Sequence, residues 1–172
     1  MESQDKPQLS IIGSTEFVEV SGISNIPAKI DTGADTSAIW ASNIDMGKDG
    51  VLSFVLFTPD SPLYSGERVT TSDYLVKRIR SSYGDKQIRY RVKLPIKLGG
   101  KTFETTFTLA DRSKNRFPVL VGRHTIENRF LVDVSRTLVP RAKASKSTKL
   151  AAELQENPYD FHQRYFVKKE NS

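Results

Sequence analysis

Residues 28–40 read AKIDTGADTSAIW. A short apolar run ending at Ile30 meets Asp31, which is followed at once by Thr32, Gly33 and Ala34, and from Ser37 to Trp40 an extended apolar pattern resumes. This is strand, tight loop and strand, with an aspartate where the loop begins. A glycine there lets the backbone come close to a water or a bound chain, and an alanine leaves room beside it. As turn chemistry alone, D-T-G is an ordinary turn tripeptide. As a catalytic element it needs a second carboxylate, because peptide hydrolysis by carboxylates uses one as base and one as acid around a shared proton.

Working outward, period-two alternation dominates from Leu9 to about Val134. LSIIG and EFVEVSGI read as strands joined by a turn at Gly13-Ser14, followed by PAKI, SAIWASNI and VLSFVLFT. YLVKRIR and QIRYRVKLPIKL flank SSYGD, a hairpin signal with Gly84 at its tip, and a second hairpin turns at Gly99-Gly100 into KTFETTFTLA. FPVLVGR and RFLVDV are the last strands, and RHTIENR between them is the one helix-like segment inside the domain. Many brief strands with frequent turns predict an all-β sandwich or barrel. The expected organisation is an N-terminal tail at 1–8, a domain at 9–139, and a polar, partly helical C-terminal tail at 140–172 whose helix-capable core is STKLAAELQ.

Composition narrows the classes. The chain has 172 residues, 37% hydrophobic and 27% charged, which suits one globular domain with a core plus an appendage. No apolar stretch approaches the ~18 residues of a membrane-spanning helix. The polar, mixed-charge start MESQDKPQ is unlike a signal peptide, so a cytoplasmic location and no membrane partner are expected. There is no cysteine, which removes disulfides, thiolate metal sites and cysteine nucleophiles. The net charge of +6 is uneven: residues 1–60 hold 3 Lys/Arg against 9 Asp/Glu, whereas 61–140 hold 16 against 7. A basic middle suits nucleic acid, an acidic peptide or a solvated surface. No aromatic-basic signature accompanies it, so nucleic acid is the weaker reading.

Other motifs fail on inspection. LGGKT ends like a phosphate-binding loop, but the glycine required five residues before Gly100 is Pro95. The two histidines, His124 and His162, form no H-E-x-x-H pair, and no G-x-S-x-G elbow selects a serine nucleophile. No cofactor and no metal are expected.

A second segment gives the aspartate its context. FPVLVGRHTI places two hydrophobic residues before Gly122-Arg123 and then begins a helix. Together with the first loop it resembles the retropepsin-like aspartic proteases, in which an apolar-D-T-G-A-D loop and a later apolar-apolar-G-R segment interlock beneath the active site. The resemblance covers roughly Ile12 to Arg136 and is nearest to a bacterial group labelled "ATP-dependent zinc proteases". It includes KIDTGADTSAIWA, RIRSSYGDKQIRYRVKLPIKLGG, FTLADRSKNRFPVLVGR and NRFLVDVSR. Some relatives in that group resemble partners of an ATP-grasp ligase that adds glutamates to a ribosomal protein.

The resemblance implies an all-β, closed retropepsin-like barrel with one short helix near His124 to Asn128. It implies aspartic endopeptidase activity with water as nucleophile and Asp31 as the catalytic carboxylate. Thr32 locks two loops together, Gly33 and Ala34 line the cleft, and Asp35 with Arg123, beside Gly122, braces the loop as a largely buried ion pair. Arg80, Ser81, Ser82, Tyr83 and Gly84 belong to a substrate-covering flap. The domain carries one D-T-G, and Asp111 in LADRS is expected in a loop or in an ion pair with Arg112. The second carboxylate is therefore expected from a homodimer, since an isologous twofold places each residue opposite its own copy.

Along QIRYRVK, alternation sends Arg89, Arg91 and Lys93 to one face and Ile88, Tyr90 and Val92 to the other, while Arg78 and Arg80 share a face of the preceding strand. A basic face over the cleft would favour an acidic peptide or protein substrate. The rival from another class is a non-catalytic peptide-binding module on the same barrel.

Overall fold

The structure is a computed structural model that describes residues 8–80, 86–140 and 147–167. Ser81 to Asp85, expected as the tip of the flap, lie outside the described residues. The chain divides into two compact units, one ending at Val139 and the other beginning at Pro140.

The first unit is built from β1 (Ser10–Val20), β2 (Ile23–Ile30), β3 (Ser37–Met46), β4 (Leu52–Leu56), β5 (Arg68–Thr71), β6 (Tyr74–Arg80), β7 (Lys86–Leu98), β8 (Lys101–Ala110) and β9 (Val119–Val121), then α1 (Arg123–Ile126) and β10 (Phe130–Thr137). Strands β1, β2, β9, β3, β8 and β7 pair in that order, and β7 returns to β1 through Glu19–Lys97 and Val20–Ile96, so six strands close into a barrel. Strand β10 adds in parallel outside β1, β6 extends β7 as a hairpin, and β4 and β5 continue from the second half of β3.

Alternation explains the closure. On β7, Val92, Leu94, Ile96 and Leu98 are at most 4% exposed, while the lysines between them face outward. Their neighbours on β8, with Val92 opposite Phe107 and Ile96 opposite Phe103, carry the same core into the next strand. Ile12, Val18, Ile26, Ile39 and Val121 complete it from the other staves.

One expected turn is absent. Gly13-Ser14 does not break the chain, and β1 runs through it with a bulge between Gly13 and Thr15. Glycine is required there by close approach: a Cβ on Gly13 would stand 2.7 Å from the Arg136 carbonyl oxygen. The real turn comes at Ser21 and Gly22, both with positive φ. Strand β5, which the sequence pattern did not single out, is a four-residue edge strand that among the described residues pairs with β4 alone.

The second unit holds α2 (Ser147–Glu156) and α3 (Pro158–Tyr165). Asn157 separates them, with its side chain accepting from Asp160 N–H at 3.1 Å while Pro158 takes the first helical position. No helix among the described residues is long and apolar enough to cross a membrane.

Candidate active site

The position of β9 creates the site. It lies between β2 and β3, parallel to the first (Ile30 opposite Val121) and antiparallel to the second (Ala38 opposite Leu120). The loop 31–36 must therefore bridge over the end of β9, and the chain leaving β9 at Gly122 turns directly beneath it.

Asp31 donates its N–H to Val121 O at 2.9 Å, so the loop is tied down at its first residue. Ala34 N–H returns to Asp31 O at 3.2 Å, and Gly33 N–H donates to Asp31 Oδ1 at 3.0 Å, which orients the carboxylate. Asp31 is half-buried, while Thr32 and Gly33 are exposed at the surface of the loop.

The turn below supplies the other fasteners. Arg123 N–H donates to Ala34 O at 2.7 Å and His124 N–H to Asp35 O at 3.1 Å, so loop carbonyls cap the start of α1. Gly122 N–H donates to Ser37 Oγ at 3.0 Å. A Cβ on Gly122 would lie 2.6 Å from the Thr36 carbonyl carbon and 2.9 Å from Ala34 O, which is why this contact needs glycine. Ser37 and Thr125 are 1% exposed, and their hydroxyls lie 2.7 Å apart; Thr105 on β8 adds a third hydroxyl 2.8 Å from Thr125. Neither Ser37, Thr125 nor Thr105 stood out in the sequence, where single hydroxyls among many carry no signal.

Arg123 and Asp35 do form an ion pair and hydrogen bond. The expectation that it is largely buried is wrong for the single chain: the side chains are 59% and 56% exposed. Both groups sit on the outer rim of the loop, where water screens them. The Arg123 hydrogen bond and charge still hold the Asp35 carboxyl below its ordinary value, with smaller contributions from His124 and Lys77. A groove of about 520 Å³ opens beside the loop, lined by Thr32, Arg123, His124, Ile126 and Glu127.

Asp111 lies in a loop, and among the described contacts it is not paired with Arg112. Its Oδ1 accepts Ser113 N–H at 2.9 Å in a tight turn, while Arg112 Nε donates to Phe117 O at 3.0 Å. His124 Nδ1 stands 3.9 Å from Glu127 Oε2, and among the described residues no three His, Asp or Glu side chains gather as metal ligands would.

Strand register sorts the cations of the flap hairpin. Lys77 stands opposite Arg89 and Leu75 opposite Arg91, whereas Arg78 is opposite Ile88 and Arg80 opposite Lys86. Arg78 thus lies on the face of Ile88, Tyr90 and Val92, away from Arg89 and Arg91. Lys93 is paired with Asp73 at 3.5 Å. Burial and the charge of Arg89 both lower the pKa of Arg112. Thus Asp31 to Asp35, Gly122 and Arg123 come together, Arg80 is placed by its strand position, and Ser81 to Gly84 lie outside the described residues.

A six-stranded closed barrel, with an Asp-Thr-Gly loop interlocked over a Gly-Arg turn, defines a retropepsin-like protein. A crystal structure of a Legionella pneumophila protein of unknown function is similar to this chain, with a TM-score of 0.56 and 26% identity over 76% of this chain and 97% of that one. Residues 11–143 match the RimB-like family, described as retropepsin-like aspartic endopeptidase RimB, and the chain belongs to that family. Two curated relatives are named probable alpha-L-glutamate ligases. That of Shewanella pealeana is 33% identical over 132 residues, 74% of this chain and 29% of that protein. That of Desulfotalea psychrophila is 33% identical over 129 residues, 72% and 28% respectively. The chain therefore spans less than a third of the length of these relatives.

Proposed function

We propose that this chain is an aspartic endopeptidase whose active site forms between two copies, each contributing one Asp31. The observation that carries the reading is a carboxylate held on a doubly fastened loop, in a sequence that carries a single Asp-Thr-Gly. Asp35, the other carboxylate of the loop, is paired with Arg123. Two Asp31 carboxylates a few ångströms apart cannot both ionise, so one stays protonated. The ionised member takes a proton from a water as that water's oxygen bonds to the peptide carbonyl carbon. The protonated member donates to the carbonyl oxygen; the proton gained from water then passes to the leaving nitrogen as the C–N bond breaks, while a hydroxyl proton of the diol returns to the other carboxylate, which restores the singly protonated pair. Thr32, exposed beside the carboxylate, meets its own copy across the twofold axis, and the hairpin of β6 and β7 covers the peptide to exclude water.

Acidic peptides are the proposed substrates. Two observations support this: relatives that match this chain over less than a third of their own length are named glutamate ligases, and the β6–β7 hairpin sets Lys77 opposite Arg89 in a run of cations. Peptide-library cleavage by the purified protein, alongside Asp31→Asn, tests both parts. The variant should fold normally and lose roughly 10,000-fold in rate, as expected when a group acting directly in the chemistry is removed. Wild-type activity in Asp31→Asn would sink the endopeptidase reading. A folded, strictly monomeric wild type that binds peptides without cleaving them would favour the non-catalytic binding module. A preference for Glu or Asp that weakens with salt supports the acidic substrate, whereas salt-indifferent selection of hydrophobic residues overturns it.

A further inference from the structure

We infer that the buried hydroxyls of Ser37, Thr125 and Thr105 form a ladder that positions the Asp31 loop for the reaction proposed above; the inference rests on that reading. Three elements meet in it: the start of β3, the third residue of α1, and the middle of β8. The distances are 3.0 Å from Gly122 N to Ser37 Oγ, 2.7 Å from Ser37 to Thr125, and 2.8 Å from Thr125 to Thr105.

Hydrogen-bond accounting gives the ladder a direction. Gly122 N–H is a donor only, so Ser37 Oγ must accept from it. If Ser37 also accepted from Thr125, its own proton would be left in a site 1% exposed with no further acceptor among the described residues. Ser37 therefore donates to Thr125, and Thr125 donates to Thr105. The remaining proton falls on Thr105, the half-buried member, where water can take it.

The consequence is local. Asp31 N–H is bound to Val121 O, and the carbonyls of Ala34 and Asp35 are bound to the N–H groups of Arg123 and His124. The loop moves only if the segment 121–125 moves, and the ladder anchors that segment to β8 from inside the barrel. A carboxylate that must meet its symmetry mate at a fixed separation is sensitive to such an anchor, since a misplacement of about 1 Å can remove ~100-fold in rate. Ser37, Thr125 and Thr105 are positioning residues: they act through the loop and do not touch the peptide.

Thr125→Val keeps the side-chain shape and deletes the hydroxyl; Thr125→Ser keeps the hydroxyl and deletes the methyl. Thr125→Val is expected to leave KM near the wild-type value and to lower kcat roughly 10- to 100-fold. It should also narrow the bell-shaped pH–rate profile, because the split between the two apparent pKa values depends on the separation of the carboxylates. Thr125→Ser should restore both. Unchanged kcat and pH profile in Thr125→Val, or no rescue by Thr125→Ser, would overturn the proposal. If Thr125→Val does not fold, Thr105→Val at the half-buried end is put through the same measurements. Should the wild type cleave no peptide, the endopeptidase reading fails by itself. Amide hydrogen exchange then reads the ladder separately: Gly122 N–H must exchange faster in Thr125→Val than in wild type, and equal rates reject it.

Discussion

Asp31 and Asp35 share one loop, and their surroundings give them different work. Asp31 keeps a carboxylate oriented by Gly33 N–H, while Asp35 is neutralised by Arg123. The Asp35 pKa is lowered from its ordinary 3.8, chiefly by the Arg123 hydrogen bond and then by its charge. A depressed carboxyl stabilises the folded state above its unfolded pKa, and that contribution is lost as pH falls through the folded value. Asp35→Asn should therefore unfold at a slightly lower temperature than wild type at neutral pH, with the gap closing as pH drops below about 4. The gap should also shrink in high salt, since both side chains are more than half exposed. Thermal melts from pH 7 to pH 2 check this; a gap that persists to pH 2 would show that the ionised carboxylate is not its source.

The elements that hold the loop are β9 and α1, and both are short: three and four residues. Neither would be stable alone. Their place between β2, β3 and the loop is what orders them. Gly122→Ala should be among the more damaging single-methyl changes, because the added carbon would meet backbone on the loop, 2.6 Å from Thr36 C. Backbone cannot swing aside as a side-chain end can, so a loss of about 1–3 kcal/mol in stability is expected, with a large loss of activity. Chemical denaturation and peptide cleavage measured on the same preparation check the two losses together. A fully stable, fully active Gly122→Ala would mean the loop and turn do not interlock as described. At this scale the sequence was legible where pattern is strong. Alternation located β7 and β8, and the Gly-Arg pair located the turn before α1. It failed at Gly13, where a glycine needed for close approach looks the same as one needed for a turn, and at β5, too short and polar to carry a period.

At the scale of the molecule, the barrel closes around one core but carries one Asp-Thr-Gly loop. If the working site spans two copies, folded Asp31→Asn protein should poison the wild type by forming mixed pairs. Titrating the variant into a fixed amount of wild type should lower activity progressively once subunits exchange, and specific activity of the wild type alone should fall on dilution. Activity that ignores both treatments would place the site within one chain. The sequence by itself determined the alternation that makes strands, the Asp-Thr-Gly and Gly-Arg segments, and the excess of positive charge in the middle of the chain. These are local facts, fixed by side-chain period and residue type. Only the tertiary structure decided that Gly122 lies under Thr36, that Ser37, Thr125 and Thr105 join hydroxyls, that Arg78 stands apart from Arg89 and Arg91, and that the Asp35–Arg123 pair is open to water. Each of these depends on which strands pair and in what register. Register is set by the burial of the whole core, and no short stretch of sequence contains it.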